Sequence, residues 1–170
     1  MADVFLGLGS NEGDREENIK QALVLLDYDK GITIKAVSSL YESRALGDSP
    51  QPDFINGVVR IETEYAPPEL LEIAKSIEET LGRRPHTHIL PRPIDIDLLL
   101  YDNLDYDSLE LRIPHSRLCS RRFVLEPLLE IDNNVRHPVT DEPLSDFLEK
   151  VKSQKMIKRM DSSEVWNEPQ

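Results

Sequence analysis

Hydrophobic and polar residues alternate along the chain in short blocks, and the first blocks predict a strand followed by a helix. Residues 3–8 form an apolar run that ends at Gly9-Ser10-Asn11, the pattern of a buried strand entering a turn. Asp14, with Glu17 three residues later, resembles the capping box that opens a helix. The apolar residues that follow repeat at helical spacing on one face: Ile19, Ala22, Leu23 and Leu26.

The middle of the chain predicts two more strands and a second one-sided helix. Two-residue alternation over 32–41 favours a half-buried strand, and β character returns at 54–64 after a loop at 43–52. Pro67 then begins a helix that ends at Gly82. The apolar stripe of this helix consists of Leu70, Ala74, Ile77 and Leu81.

The rest of the chain predicts a further strand, a hairpin and a short helix. Residues 94–101 indicate the strand, and a hairpin is expected to pair 101–106 with 109–113. Only a helical turn is expected from Phe123 onward, because Pro127 limits it. A short helix is predicted over 144–151, and the last fifteen or so residues lack a strong apolar period, which predicts loose docking or fraying.

This element order is β-α-β-β-α-β with additions after it. It is typical of the split β-α-β, ferredoxin-like fold, an α+β architecture in which helices back one mostly antiparallel sheet. No repeat, linker or low-complexity tract interrupts the sequence, and its 170 residues suit one hydrophobic core. We therefore predict a single domain over 1–170 with a C-terminal extension.

Composition and charge exclude several classes of protein. Hydrophobic residues make up 39% and charged residues 31% of the chain, which predicts a globular protein. A formal net charge of −12 argues against a general nucleic-acid binder. The first residues have Asp3 in their only apolar run and no basic lead-in, so neither a signal peptide nor a membrane span is expected. Cys119, the only cysteine, excludes an intrachain disulfide, and a cytoplasmic location is expected.

Two basic segments interrupt this acidic chain. Residues 83–92 and 112–122 contain no Asp or Glu, and they hold seven of the 20 Lys and Arg residues and three of the four His. A single segment of this kind is often a solubilising loop. Two of them flanking an acidic strand favour a site for an anion.

Asp95 and Asp97 lie in the strand between the basic segments. Side chains on a strand alternate, so these carboxylates share a face and lie roughly 7 Å apart. Such a pair needs a cation or arginines to offset its repulsion and lost hydration. Mg²⁺ with arginine clamps is the usual machinery of phosphoryl transfer, whereas the alternative is a solvated polar face.

The sequence lacks both a G-x-x-x-x-G-K-[ST] phosphate loop and a G-x-G-x-x-G fingerprint, so side chains must hold any phosphates. Arg92, Arg121 and His115 are the predicted charge-matching donors, and Arg83 and Arg84 lie on a loop able to close over a nucleotide. The spacing His86-x-His88 is compatible with zinc, but no third ligand lies nearby in sequence.

Phe54 and Asn56 share a strand face directly after a loop. An aromatic plane beside a bidentate amide suits a flat heterocycle with donor and acceptor edges, and Phe123 is placed to cover its other side. The alternative is that Phe54 is a core residue and Asn56 a turn cap.

Several segments together resemble the 6-hydroxymethyl-7,8-dihydropterin pyrophosphokinase family of folate biosynthesis, over about residues 3–150. They are GLGSN (7–11), SSLYES (38–43), ALG (45–47), QPDFINGVV (51–59), PRPIDIDLLLY (91–101) and IPHSRL with RRFVLEPL (113–128). The resemblance implies that the pterin hydroxymethyl oxygen attacks the β-phosphorus of ATP, that pyrophosphate is transferred intact and that AMP leaves. Two Mg²⁺ ions are then expected on Asp95 and Asp97.

The resemblance also implies a role for each matching residue. Phe54 and Phe123 would sandwich the pterin, and Arg83 and Arg92 would be catalytic together with the two aspartates. The other implied pterin contacts are Asn56 and Asp95 at its polar edges and the backbone of Ser43 and Leu46. The implied ATP contacts are Leu71, Glu78, Arg84, Arg92, Leu98, His115 and Arg121.

The chain departs from the family pattern before the metal strand. Members commonly have R-W-G at the positions of His88-Ile89-Leu90, so a slower enzyme or an altered pH dependence is expected. Two other functions remain open, namely a Mg²⁺-dependent phospho- or nucleotidyltransferase with another acceptor alcohol and a non-catalytic ferredoxin-like binding domain. The expected partners are small molecules only, neither nucleic acid nor membrane, with the chain a monomer or weak dimer.

Overall fold

A computed structural model describes residues 1–44, 51–84 and 90–167 of the chain. The first half contains four strands and two helices, which are β1 (Ala2–Ser10), α1 (Arg15–Tyr28), β2 (Ile32–Val37), β3 (Leu40–Ser43), β4 (Phe54–Thr63) and α2 (Pro67–Thr80). The second half contains β5 (Asp95–Tyr101), β6 (Tyr106–Asp107), β7 (Arg112–Ile113), a 3₁₀ turn (Leu118–Ser120), α3 (Arg122–Ile131), α4 (Leu144–Val151), β8 (Met156–Met160) and α5 (Ser162–Val165).

One antiparallel sheet organises the molecule. Its strands lie in the order β5-β1-β4-β3-β8, and β2 also pairs with β4. Helices α1 and α2 pack on one face over a core that includes Leu6, Leu23 and Ile61, while α3 packs on the other face over Val58 and Leu99. The predicted ferredoxin-like α+β fold is confirmed.

Local signals set the ends of the first two helices. The Asp14 carboxylate accepts the backbone N–H of Glu17 at 3.2 Å, so the predicted N-cap of α1 is confirmed. Pro67 occupies the first turn of α2, and Gly82 follows its end with a φ of 98°, a conformation that L side chains rarely adopt.

Three elements differ from the sequence prediction. Helix α3 runs for ten residues through Pro127 rather than stopping at a turn, because its buried face, which includes Leu125 and Leu128, packs on the sheet and offsets the lost hydrogen bond. The hairpin pairs only β6 with β7 and leaves Leu109 exposed.

The third difference concerns the C-terminal residues, for which fraying was the wrong expectation in the part the structure describes. Residues Met156–Met160 form β8 against β3, and Val165 is only 4% exposed. Among the helices of the described ranges, none has both the length and the apolar character needed to cross a bilayer.

Candidate active site

One end of the sheet carries a cavity of about 530 Å³ on the α3 face. Antiparallel pairing brings the end of β1 beside the starts of β4 and β5, and the start of α3 closes the opposite side. Ten residues singled out from the sequence line this cavity: Ser43, Phe54, Asn56, Arg83, Arg92, Asp95, Asp97, His115, Arg121 and Phe123.

Strand register places the polar residues in a row. Gly9 of β1 lies opposite Asn56 on one side and Asp95 on the other, and Gly7 lies opposite Asp97. A methyl group added at Gly9 would lie 3.1 Å from the Asn56 Oδ1 atom. The two glycines therefore leave space over β1 between the amide and the carboxylates.

The Asp95 and Asp97 carboxylates both face the cavity, as alternation along β5 predicts. Burial, and then the neighbouring charge of Asp95, raise the pKa of Asp97 to about 7, while Arg121 opposes the shift. Two oxygen donors that lose hydration together suit Mg²⁺, which takes one or two carboxylates and completes its shell with water and phosphate oxygens. In the described ranges, no group of three or more His, Cys, Asp and Glu side chains is arranged to hold a metal.

Arg83 bridges two carboxylates at the edge of the cavity. Its Nη1 atom donates to Asp95 Oδ1 at 2.8 Å and also donates to Glu78. Glu78 is 9% exposed and accepts the backbone N–H of Ile96 at 3.0 Å. Burial raises the pKa of Glu78, and the hydrogen bond from Ile96 and the charge of Arg83 oppose that rise. Glu78 therefore supports Arg83 from the side of α2.

The aromatic and amide residues lie on the opposite wall. Asn56 is buried, and its Nδ2 atom donates to Ser43 Oγ at 2.7 Å, which orients the amide. The Arg92 guanidinium lies 5.0 Å from the centroid of the Phe54 ring, and it also approaches Asp95 at 3.4 Å. Arg92 thus connects the aromatic wall with the acidic strand.

The segment that leads into α3 forms another wall of the cavity. The Arg121 guanidinium lies 5.4 Å from the centroid of the Phe123 ring. Burial and Arg121 lower the pKa of His115, whose Nδ1 atom accepts the backbone N–H of Arg117 at 3.1 Å. The lowered pKa leaves the ring neutral near pH 7 with its proton on Nε2, so His115 can donate a hydrogen bond but lacks the charge expected from the sequence.

Four other predicted residues lie outside the cavity lining. Leu98 is 2% exposed and belongs to the core under α1 and α2, against which Leu71 also packs. Glu78 lies behind Arg83, and Arg84 is not among the lining residues. Leu46 and the histidines of the zinc alternative, His86 and His88, lie outside the described residues, as does Ile89.

Asn11 is a residue that the sequence analysis passed over as part of a turn. It is 2% exposed, and its Oδ1 atom accepts the backbone N–H of Arg92 at 2.8 Å. Its Nδ2 atom donates to Gln51 Oε1 at 3.0 Å and to the Pro52 carbonyl at 3.2 Å. Asn11 therefore holds Arg92 against the segment that leads into Phe54. The GLGSN segment was the available signal, but its contacts join residues distant in sequence.

Known proteins match this chain in sequence over most of its length. Residues 5–133 match the model of a family described as 7,8-dihydro-6-hydroxymethylpterin-pyrophosphokinase. The chain is 42% identical over 147 residues to the 2-amino-4-hydroxy-6-hydroxymethyldihydropteridine pyrophosphokinase of Aquifex aeolicus, covering 86% of the chain and 91% of that protein. It is 41% identical over 165 residues to the folic acid synthesis protein fol1 of Schizosaccharomyces pombe, covering 96% of the chain but only 22% of that protein.

Solved structures show the same fold at low sequence identity. A crystal structure of HPPK-DHPS in complex with substrates matches with a TM-score of 0.69 and 14% identity, covering 88% of the chain and 43% of that protein. Wild-type Plasmodium falciparum HPPK-DHPS with pteroate matches with a TM-score of 0.67 and 16% identity, covering 88% and 44%. The chain thus spans less than half the length of these two proteins.

Proposed function

Because the chain belongs to the 7,8-dihydro-6-hydroxymethylpterin-pyrophosphokinase family, we propose that it transfers pyrophosphate from ATP to 6-hydroxymethyl-7,8-dihydropterin. The pterin hydroxymethyl oxygen bonds to the β-phosphorus as the bond from this phosphorus to the α–β bridging oxygen breaks. The hydroxyl loses its proton, and AMP and the pterin diphosphate are the products. One observation carries the proposal: one cavity brings together two carboxylates, five arginines and an aromatic–amide pair.

The proposed pterin site lies between the aromatic–amide wall, which holds Phe54 and Asn56, and Phe123 at the start of α3. Phe54 and Phe123 offer flat faces for the ring system, and Asn56 offers an amide for its polar edge. Each ring lies near a guanidinium, with Arg92 at 5.0 Å from the Phe54 centroid and Arg121 at 5.4 Å from the Phe123 centroid. A pterin in this position has its hydroxymethyl group beside the cations that suit a polyphosphate.

The carboxylate wall is the proposed metal site. Asp95 and Asp97 would hold Mg²⁺, with two ions expected from the family resemblance. When bound, Mg²⁺ neutralises phosphate charge and orients the phosphoryl oxygens for in-line attack. A cation held there would favour the ionised form of Asp97, whose pKa is raised by burial and by Asp95.

The arginines perform most of the electrostatic work that this chain contributes. Arg83, Arg92 and Arg121 line the cavity and carry positive charge, so they can offset the charge that develops on the transferred phosphoryl group and on AMP. His115 adds a neutral donor. This arrangement acts by positioning and charge stabilisation, and it requires no covalent intermediate on the protein.

An assay of AMP release tests the proposal. The protein is incubated with ATP and 6-hydroxymethyl-7,8-dihydropterin, with and without Mg²⁺, and the nucleotide products are separated. We expect pterin-dependent AMP formation only with Mg²⁺. Asp97→Ala should reduce its rate by at least about 10³-fold, since removal of one well-placed electrostatic group already costs 10²–10³-fold.

Asp107→Ala, a change of an exposed aspartate in β6, is the matched control and should retain the wild-type rate. Release of ADP instead of AMP would refute pyrophosphoryl transfer and favour a different kinase reaction. AMP formation independent of pterin would indicate another acceptor. Sedimentation of the same sample tests the expected monomer or weak dimer.

A further inference from the structure

Arg121 lies at the junction between two helical elements. The 3₁₀ turn ends at Ser120 and α3 begins at Arg122, so Arg121 alone joins them, in an extended conformation with φ −126° and ψ 113°. Its side chain enters the cavity beside Phe123. The direction of the guanidinium therefore depends on the two peptide groups that flank Arg121.

The side chain of Gln154 contacts both of these peptide groups. Its Nε2 atom donates to the Ser120 carbonyl at 2.9 Å, and its Oε1 atom accepts the backbone N–H of Arg122 at 2.9 Å. One amide thus satisfies an acceptor before Arg121 and a donor after it. The second contact occupies a first-turn N–H of α3, which has no partner within the helix.

Gln154 is itself held in place from both sides. Its backbone N–H donates to the Val151 carbonyl at 3.0 Å, and the Arg122 Nη1 atom donates back to the Gln154 carbonyl at 2.7 Å. Two residues later the chain enters β8, where Met156 lies opposite Ser43, a residue that lines the cavity. The segment from Gln154 to Met156 therefore connects two walls of the cavity.

We propose that Gln154 is a positioning residue that acts through the backbone of Arg121. It holds this backbone so that the guanidinium faces the phosphate region of the cavity, with no contact of its own to substrate. The inference rests on the proposed pyrophosphoryl transfer. Gln154 lies beyond residues 5–133, the part of the chain that the family model matches.

A double-mutant cycle tests whether Gln154 acts through Arg121. The variants are Gln154→Ala, Arg121→Ala and the double variant, with Ser153→Ala as the matched control for an exposed neighbour. We expect Gln154→Ala to lower kcat/KM by about 10-fold, because it removes two hydrogen bonds and loosens a charged group by a fraction of an ångström. In the Arg121→Ala background the same change should lower kcat/KM less than 2-fold, because the group it positions is already gone.

Binding supplies a readout separate from turnover. Calorimetry measures the affinity for Mg²⁺ and an ATP analogue with a methylene group in place of the α–β bridging oxygen. Gln154→Ala should weaken this binding several-fold, again only when Arg121 is present. If Gln154→Ala folds poorly, Gln154→Met takes its place, because Met keeps the length and volume of the side chain but loses both hydrogen bonds. Gln154→Met should show the same loss of binding, again only when Arg121 is present.

The outcomes separate this inference from the proposed function. Lack of AMP formation by the wild-type protein would contradict the proposed reaction itself. An active wild-type protein with equal effects of Gln154→Ala in both backgrounds would overturn the inference, because Gln154 would then act independently of Arg121. Wild-type binding and rate in folded Gln154→Met would overturn it as well.

Discussion

The Arg83 guanidinium donates a hydrogen bond to the Asp95 carboxylate across 2.8 Å, at the edge of the cavity. The same guanidinium is held by Glu78, which lies behind it on α2. Arg83 therefore supplies positive charge to the acidic strand before any substrate is bound. A polyphosphate carrying its own cation would compete for Asp95 and leave Arg83 available to a phosphate oxygen.

Arg83→Ala is predicted to lower both activity and stability. It should reduce kcat by about 10²–10³-fold through loss of a cation in the phosphate region. It should also cost on the order of 2–4 kcal/mol near neutral pH, because two carboxylates lose their shared partner. Rate measurements and urea unfolding check these effects. The control Arg112→Ala removes a more exposed arginine, 41% exposed and paired with Asp105, and should change stability by less than about 1 kcal/mol.

Asp97→Asn is predicted to stabilise the metal-free protein above neutral pH. The folded-state pKa of Asp97, about 7, lies above its ordinary value of 3.8, so the folded protein retains a proton that the unfolded chain loses between these values. Wild-type stability from this group is therefore lost as pH rises through this window. Asp97→Asn should remove that loss and raise the unfolding free energy at about pH 8 by on the order of 1–4 kcal/mol.

Urea unfolding at about pH 4 and pH 8 without metal measures this effect, and the difference between the two proteins should be small at the lower pH. Mg²⁺ added at the higher pH should stabilise the wild-type protein more than Asp97→Asn. A stability difference that is the same at both pH values would contradict the assigned role of burial.

Gly9→Ala is predicted to weaken pterin binding selectively. The new methyl group would lie 3.1 Å from Asn56 Oδ1, so the amide must move by a few tenths of an ångström. We expect KM for the pterin to rise by about 10-fold, since a displaced hydrogen bond to a polar edge costs about 1–1.5 kcal/mol. KM for ATP should change less than 2-fold. Gly7→Ala is the comparison, because its methyl group would meet Leu99 at an ordinary 3.5 Å.

Asn11→Asp is predicted to separate Arg92 from the segment before Phe54. The substitution keeps an oxygen for the backbone N–H of Arg92 but loses the donor to Gln51 and Pro52. A buried carboxylate then faces two acceptors, which should cost about 1–3 kcal/mol of stability. The activity of the folded variant should fall as well. Equal losses in Asn18→Asp, a change in the first turn of α1 where the Asn18 amide donates to the Glu12 carbonyl, would show that the effect is not specific to Asn11.

Local periodicity explains how much of this architecture could be predicted. Alternation along β5 predicts that Asp95 and Asp97 share a face, and both carboxylates line the cavity. The apolar spacing of α1 and α2 likewise predicts the residues that pack on the sheet. These features repeat every two or 3.6 residues, so residues close together in the sequence determine them.

Features that depend on distant partners could not be predicted in this way. Pro127 lies inside α3 because packing on the sheet outweighs its local tendency to end a helix. Residues 156–160 have a weak apolar pattern, yet they form β8 because β3 offers an unpaired edge. The hydrogen bonds from Gln154 to the peptide groups on either side of Arg121 join residues 32 and 34 positions apart. No local sequence pattern therefore predicts them.

The sequence by itself determined which residues can form strands and helices, which face of β5 is acidic and which family the motifs resemble, since all three depend on residue type and short spacing. The tertiary structure decided that Arg83 lies between Glu78 and Asp95, that Gly9 separates Asn56 from Asp95, and that burial beside Arg121 lowers the pKa of His115. These relationships depend on strand order and burial, because Coulombic interactions and desolvation follow distance in space rather than separation along the chain.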